Sequence, residues 1–189
     1  RRSSDLVLNL FRHDQWLDSD MAAEMMFSKL LAQEKRFFAT PDWYYSTEFR
    51  FLYTHWIMGP LFRVLGSWHV IRMITNLISY VLMLAAYYFF MKPLGVKRER
   101  VVASSAILLL PFSETMITHM VMGNTYLFHV IIVFTVFGLF LRLAGGHKGP
   151  RIVWMVCYAV LSVICGVSGV RYLLALQCPL VLTAFVGLL

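Results

Sequence analysis

What most limits this chain is a series of apolar runs beyond residue 68, each about as long as a hydrocarbon core is thick. Crossing roughly 30 Å of lipid takes about 20 residues of helix. Runs of this length predict spans at 69–91, 101–119, 124–143, 152–170 and 172–189, with Pro, Gly and charge marking the gaps. A content of 59% hydrophobic and 14% charged residues, with mean hydropathy +0.68, is far from that of a water-soluble domain. The expected fold class is all-α: a polytopic transmembrane helical bundle, preceded over 1–68 by a long polar and aromatic loop. Beginning at Arg1 and ending inside an apolar run at Leu189, the chain reads as truncated at both ends.

The net charge of +7 does not indicate nucleic acid, because the basic residues are spread over short loops between apolar runs and form no single face. Cys157, Cys165 and Cys178 lie in or beside apolar runs without metal-ligand spacing, so neither a zinc site nor a disulfide framework is expected. Lys92, Lys97, Arg98 and Arg100 fill the first gap between spans, and Arg142, Lys148 and Arg151 fill the third; the second, 120–123, carries no charge. Short cytoplasmic loops are enriched in Lys and Arg. The first and third gaps are therefore expected inside. The second gap, the 166–171 turn and the whole loop before residue 69 are expected outside.

Eight of the ten acidic residues fall between Asp5 and Glu48, within that outer loop. There Ala23, Met26, Phe27, Leu30 and Leu31 follow the spacing of an amphipathic helix, which is expected to lie on the membrane surface. Asp18, Ser19 and Asp20 are N-cap types at its start, and the helix is expected to end before Pro41. Trp56 and Trp68 flank the first span as interfacial anchors.

Several residues on the outer side can carry chemistry. Asp18 and Asp20 can act as a general base for an acceptor hydroxyl or amine, or one of them can simply cap the helix. Glu114 stands in an apolar run after Pro111, where an ionisable group either faces a polar cavity or bonds a neighbouring helix. His119, Asn124 and His129 surround the same outer gap. Arg63, Arg72 and Arg171 lie near outer helix ends, where a guanidinium suits phosphate oxygens; for Arg63 ordinary phospholipid contact is the better account. Trp43, Tyr44 and Tyr45, with Trp16, Tyr53 and Trp56, can stack on sugar rings or anchor at the interface.

The stretch from Asp18-Ser19-Asp20-Met21-Ala22-Ala23-Glu24 to Trp43-Tyr44-Tyr45-Ser46-Thr47-Glu48, followed by short-looped membrane helices, resembles the GT-C superfamily of polyprenyl-phosphate-dependent glycosyltransferases and its uncharacterised bacterial members. The resemblance runs from Trp16 to about Leu189 and rests more on layout than on motifs. It implies a plasma-membrane enzyme moving a sugar from a lipid-linked donor to an acceptor on the outer face. It further implies a catalytic acid in the first loop, Asp20 or Asp18, with Glu114 as a second acid. Donor and acceptor contacts would come from Arg171, Arg72, His119, Tyr44 and Tyr45. The family's Asp-Glu pair is Asp20-Met21 here, which leaves the choice between Asp18 and Asp20 open, and the expected preceding membrane helix is not evident in 5–12. No cofactor is assigned, because metal use varies across such enzymes. The rival is a transporter or flippase-like protein in which Glu114, His119, His129 and Arg171 line a path; a third is an assembly subunit without chemistry.

Overall fold

The structure, a computed structural model, describes residues 18–45, 51–110, 112–124, 126–145 and 149–187. Trp16, Ser46, Thr47, Glu48, Pro111 and Lys148, all drawn on above, lie outside the described residues. The fold is all-helical, 77% helix with no strand among the described residues. The helices are α1 (Ser19–Gln33), α2 (His55–Phe62), α3 (Trp68–Met91, extended by a 3-10 turn over Lys92–Leu94), α4 (Arg98–Leu109), α5 (Glu114–Met116), α6 (Leu127–Ala144), α7 (Arg151–Ser168), α8 (Val170–Tyr172) and α9 (Cys178–Val186). Two π-helical turns, Ile117–Met122 and Leu173–Gln177, follow α5 and α8.

Among the described residues three helices are long and apolar enough to cross a membrane: Trp68–Leu94, Leu127–Ala144 and Arg151–Ser168. They correspond to the expected spans at 69–91, 124–143 and 152–170. The other two expected spans are not single long helices. The 101–119 stretch breaks, because the residue before a proline is driven out of the helical region; α4 stops at Leu109, and Ser113 caps a new start at Glu114 by accepting from Met116 N–H at 3.1 Å. A fourth crossing exists only if these two pieces count together. The 172–189 stretch contains an apolar helix of 10–17 residues, Leu174–Val186, short for a crossing. It is separated from α7 by Gly169, whose φ of 137° is a conformation that side-chain-bearing residues rarely adopt.

The chain forms two compact units. The first holds the described residues of 1–44, 53–81 and 110–128: α1, α2, the first half of α3, and α5 with its π turn. Its apolar centre is Met25, Met58 and Ile71, with Leu61, Phe62 and Leu65 against them. The second holds those of 45–52, 82–109 and 129–189. Its centre is Ile132, Val136, Cys165, Tyr172, Leu176 and Leu180. Within the second unit α3 and α6 meet closely at Gly138, where an added Cβ would fall 2.6 Å from Phe89 Cδ1 and 3.2 Å from the Phe90 Cα. Arg142, one turn on, donates to the Gly138 carbonyl and lies over the Phe89 ring at 3.6 Å.

Helix α1 begins where its cap residues predict, with Asp18 Oδ1 accepting from Met21 N–H at 2.7 Å. It ends at Gln33, well before Pro41, where Lys35 turns left-handed (φ 56°) and Arg36 N–H reaches back to the Leu31 carbonyl. Its buried residues are Met21, Glu24, Met25, Ser28, Leu31 and Ala32; of the expected apolar stripe Leu31 is among them, Ala23, Phe27 and Leu30 are half-buried, and Met26 is 55% exposed. Glu24 and Ser28 are buried with these apolar side chains because each has a protein partner, Arg72 and Met58.

Candidate functional site

Along the first half of α3, Arg72, Thr75, Asn76 and Ser79 recur at i, i+3, i+4 and i+7, so that they share one face of the helix. All four are buried. A polar stripe on an otherwise apolar membrane helix must turn toward protein, since lipid offers it no partner. The partners come from two other segments of the same unit. From α1, Glu24 Oε2 accepts from Arg72 Nη1 at 2.7 Å, and both side chains are almost fully buried. From the turn after the π helix, the Gly123 carbonyl accepts from Arg72 Nη2. In the same turn Asn124, held left-handed at φ 56°, donates through Nδ2 to Ser79 Oγ at 2.7 Å.

Further polar groups sit in this unit where α1 meets α2. Ser28 Oγ donates to the Glu24 carbonyl at 2.8 Å and lies 3.8 Å from Met58 Sδ. Thr54 and His55, at the start of α2, are buried. His55 meets the Phe27 ring edge-on at 5.4 Å, and burial pushes its pKa down to about 4, so the imidazole is neutral at neutral pH. Its Nε2 has no hydrogen-bond partner among the described residues.

The residues singled out from the sequence are distributed unevenly over this arrangement. Asp18 and Asp20 share the first turn of α1; Asp18 is the cap, and Asp20 is exposed one residue inside the helix. Arg72, expected at a rim facing headgroups, instead points into the protein with Glu24 and Gly123 as partners. Glu114, expected within a span, stands exposed at the newly capped start of α5. His119 lies in the π turn against Tyr126, ring centroids 5.7 Å apart. Tyr44 is 87% exposed, while Trp43 packs on Phe27 at 5.3 Å. Arg63 donates to the Arg36 carbonyl at 3.3 Å and lies over Phe37. Trp56 packs against Phe38, and Trp68 against Phe62 with Lys29 over its ring. In the second unit, His129 stacks on Tyr172 at 4.7 Å beside the exposed Arg171, and Tyr45 is half-buried.

Glu24, Thr75, Asn76, Ser79 and Gly123 carried no role in the sequence reading, although the helical spacing of the α3 stripe was visible in it. No group of three or more His, Cys, Asp or Glu among the described residues is placed to hold a metal ion. No known protein family, curated protein or solved structure matches the chain.

Proposed function

We propose that this chain belongs to a membrane-embedded glycosyltransferase of the GT-C type, moving a sugar from a polyprenyl-phosphate donor to an acceptor at the outer face of the membrane. Asp20 is the general base in this reading. It takes the proton of the acceptor hydroxyl as that oxygen attacks the anomeric carbon; the bond from that carbon to the phosphate oxygen breaks, and the polyprenyl phosphate leaves. Tyr44 is available to stack on sugar, and Glu114 is the second acid.

One observation carries the choice of base. The Asp18 carboxylate is engaged by the Met21 N–H, whereas Asp20 is exposed in the first turn of a helix that a buried ion pair anchors one turn further on, at Glu24. A base kept in place and open to substrate contributes about 10²- to 10⁴-fold in rate. Asp20→Asn preserves size and removes the charge. In the full-length protein in vesicles with a radiolabelled lipid-linked sugar, turnover is expected to fall at least about 100-fold, while Asp18→Asn retains most of it. Normal turnover in both would remove the catalytic reading of this loop.

A transporter is the second reading, favoured by the polar stripe inside α3 and by the interrupted helices at Ser113 and Gly169. Substrate uptake into sealed vesicles without sugar transfer would select it.

A further inference from the structure

The Arg72 guanidinium joins three stretches of chain far apart in sequence. It is rooted in α3, donates to Glu24 of α1 48 residues earlier, and donates to the Gly123 carbonyl 51 residues later. Its own burial is complete, so neither bond competes with solvent. A planar fork of donors can serve a carboxylate on one arm and a carbonyl on the other; a single ammonium cannot do so at the same two points. Asn124 adds a second fastening, to Ser79 two turns along the same face of α3. The turn at 123–124 is therefore held twice to α3, and α1 is held to it through the carboxylate of Glu24.

Glu24 lies one helical turn after Asp20, at i+4, so whatever fixes Glu24 also fixes the first turn of α1. The apolar contacts of α1 leave room for movement: Met21, Met25, Leu31 and Ala32 are buried, but two of the four are flexible methionines, and Met25 packs on a third, Met58. Such contacts resist separation more than they resist sliding. A charged bond of 2.7 Å between fully buried groups fixes the register.

We infer that Arg72 is a positioning residue: through Glu24 it holds the first turn of α1, and with it Asp20, in one place relative to α3 and the Gly123–Asn124 turn. The catalytic part of this inference rests on the glycosyltransferase reading above. The tie itself does not.

Hydrogen exchange and kinetics on the full-length protein in nanodiscs test the two parts separately. Glu24→Gln should speed amide exchange in 19–33 by about tenfold or more while leaving 117–124 near its original rate, because Arg72 keeps Gly123. Arg72→Gln should speed both segments. Arg72→Lys, which retains charge and bulk, should speed at least one, and Ser79→Ala should speed 117–124 alone. Exchange in 117–124 that is unchanged by both Arg72 variants would overturn the tie. If Arg72→Gln does not fold, Arg72→Lys and Glu24→Gln decide the matter. For the kinetic part, Glu24→Gln and Arg72→Lys should lower kcat by about tenfold or more with KM for the lipid-linked donor unchanged. A rise in KM alone, or no change, would overturn the positioning role. Normal turnover in Asp20→Asn would instead sink the glycosyltransferase reading, and the exchange pattern would still judge the tie.

Discussion

Replacing one partner of the Glu24–Arg72 pair should be far more harmful than replacing both. The side chains are 5% and 0% exposed, so solvent screening is nearly absent. Glu24→Gln leaves the Arg72 charge buried without its carboxylate; Arg72→Met leaves the Glu24 carboxylate buried without its guanidinium. Breaking such a pair from one side typically costs about 3–5 kcal/mol, whereas exchanging both members for neutral groups of similar volume is often close to neutral. Each single variant should therefore lose roughly 10²- to 10⁴-fold in its unfolding equilibrium, at about 1.4 kcal/mol per decade. The double variant should recover most of that loss, so the coupling, the two single losses together less the double loss, should exceed about 3 kcal/mol, beyond the usual range for directly interacting residues. Reversible unfolding in mixed micelles, titrated with a denaturing detergent, measures all four corners of the cycle. Additive losses, with the double variant as unstable as the sum of the singles, would refute the account of Arg72 and Glu24 as mutually neutralising buried charges.

Two glycines give a matched contrast in the second unit. Gly138→Ala pushes a methyl into Phe89 and the Phe90 backbone and should cost about 1–3 kcal/mol, whereas Gly166→Ala, with open space around its Cβ, should stabilise α7 by about 0.5–1 kcal/mol; melting curves in detergent compare them. His55 makes stability depend on pH. Its folded pKa, near 4, lies below the unfolded value of 6.5, so the unfolded chain binds the proton first. Stability should be fully present above about pH 6.5 and fall by up to about 3 kcal/mol as pH drops toward 4; His55→Phe should flatten that stretch of the curve.

Much of the fold was legible in the chain because lipid imposes a simple length rule. The runs that became α3, α6 and α7 are long and lightly charged, and the Asp18 cap needed only local chemistry. Failures came where a distant partner decided the outcome. The burial of Glu24 and Ser28 on α1 was not legible, because their partners Arg72 and Met58 are distant in sequence. Arg72 was weighed singly as a headgroup contact, although Thr75, Asn76 and Ser79 stand at helical intervals from it and point to a buried face. The 101–119 stretch was taken as continuous because its apolar composition outweighed Pro111 in a hydropathy argument. Of the site, Asp18 and Asp20 could be placed on α1 from the sequence, but their different engagement rests on one backbone hydrogen bond that spacing alone does not reveal.

The stripe on α3 also bears on how the chain is made. On translocation scales an arginine costs most at the centre of a span, about 2.5–3.5 kcal/mol, against a gain of about 0.3–0.6 for each Leu, Ile, Phe or Val; Arg72, in the second turn of α3, bears a smaller cost. When α3 leaves the ribosome Glu24 has already been synthesised, but Gly123 lies another 51 residues ahead. At about 5–20 residues per second, Arg72 waits roughly 3–10 s for the Gly123 carbonyl. During that interval the segment's hold on the bilayer falls to its apolar second half, Val81 to Met91, and to the carboxylate of Glu24. A nascent chain interrupted before residue 123 would present the cell's quality control with a membrane helix whose buried cation still lacks the Gly123 carbonyl.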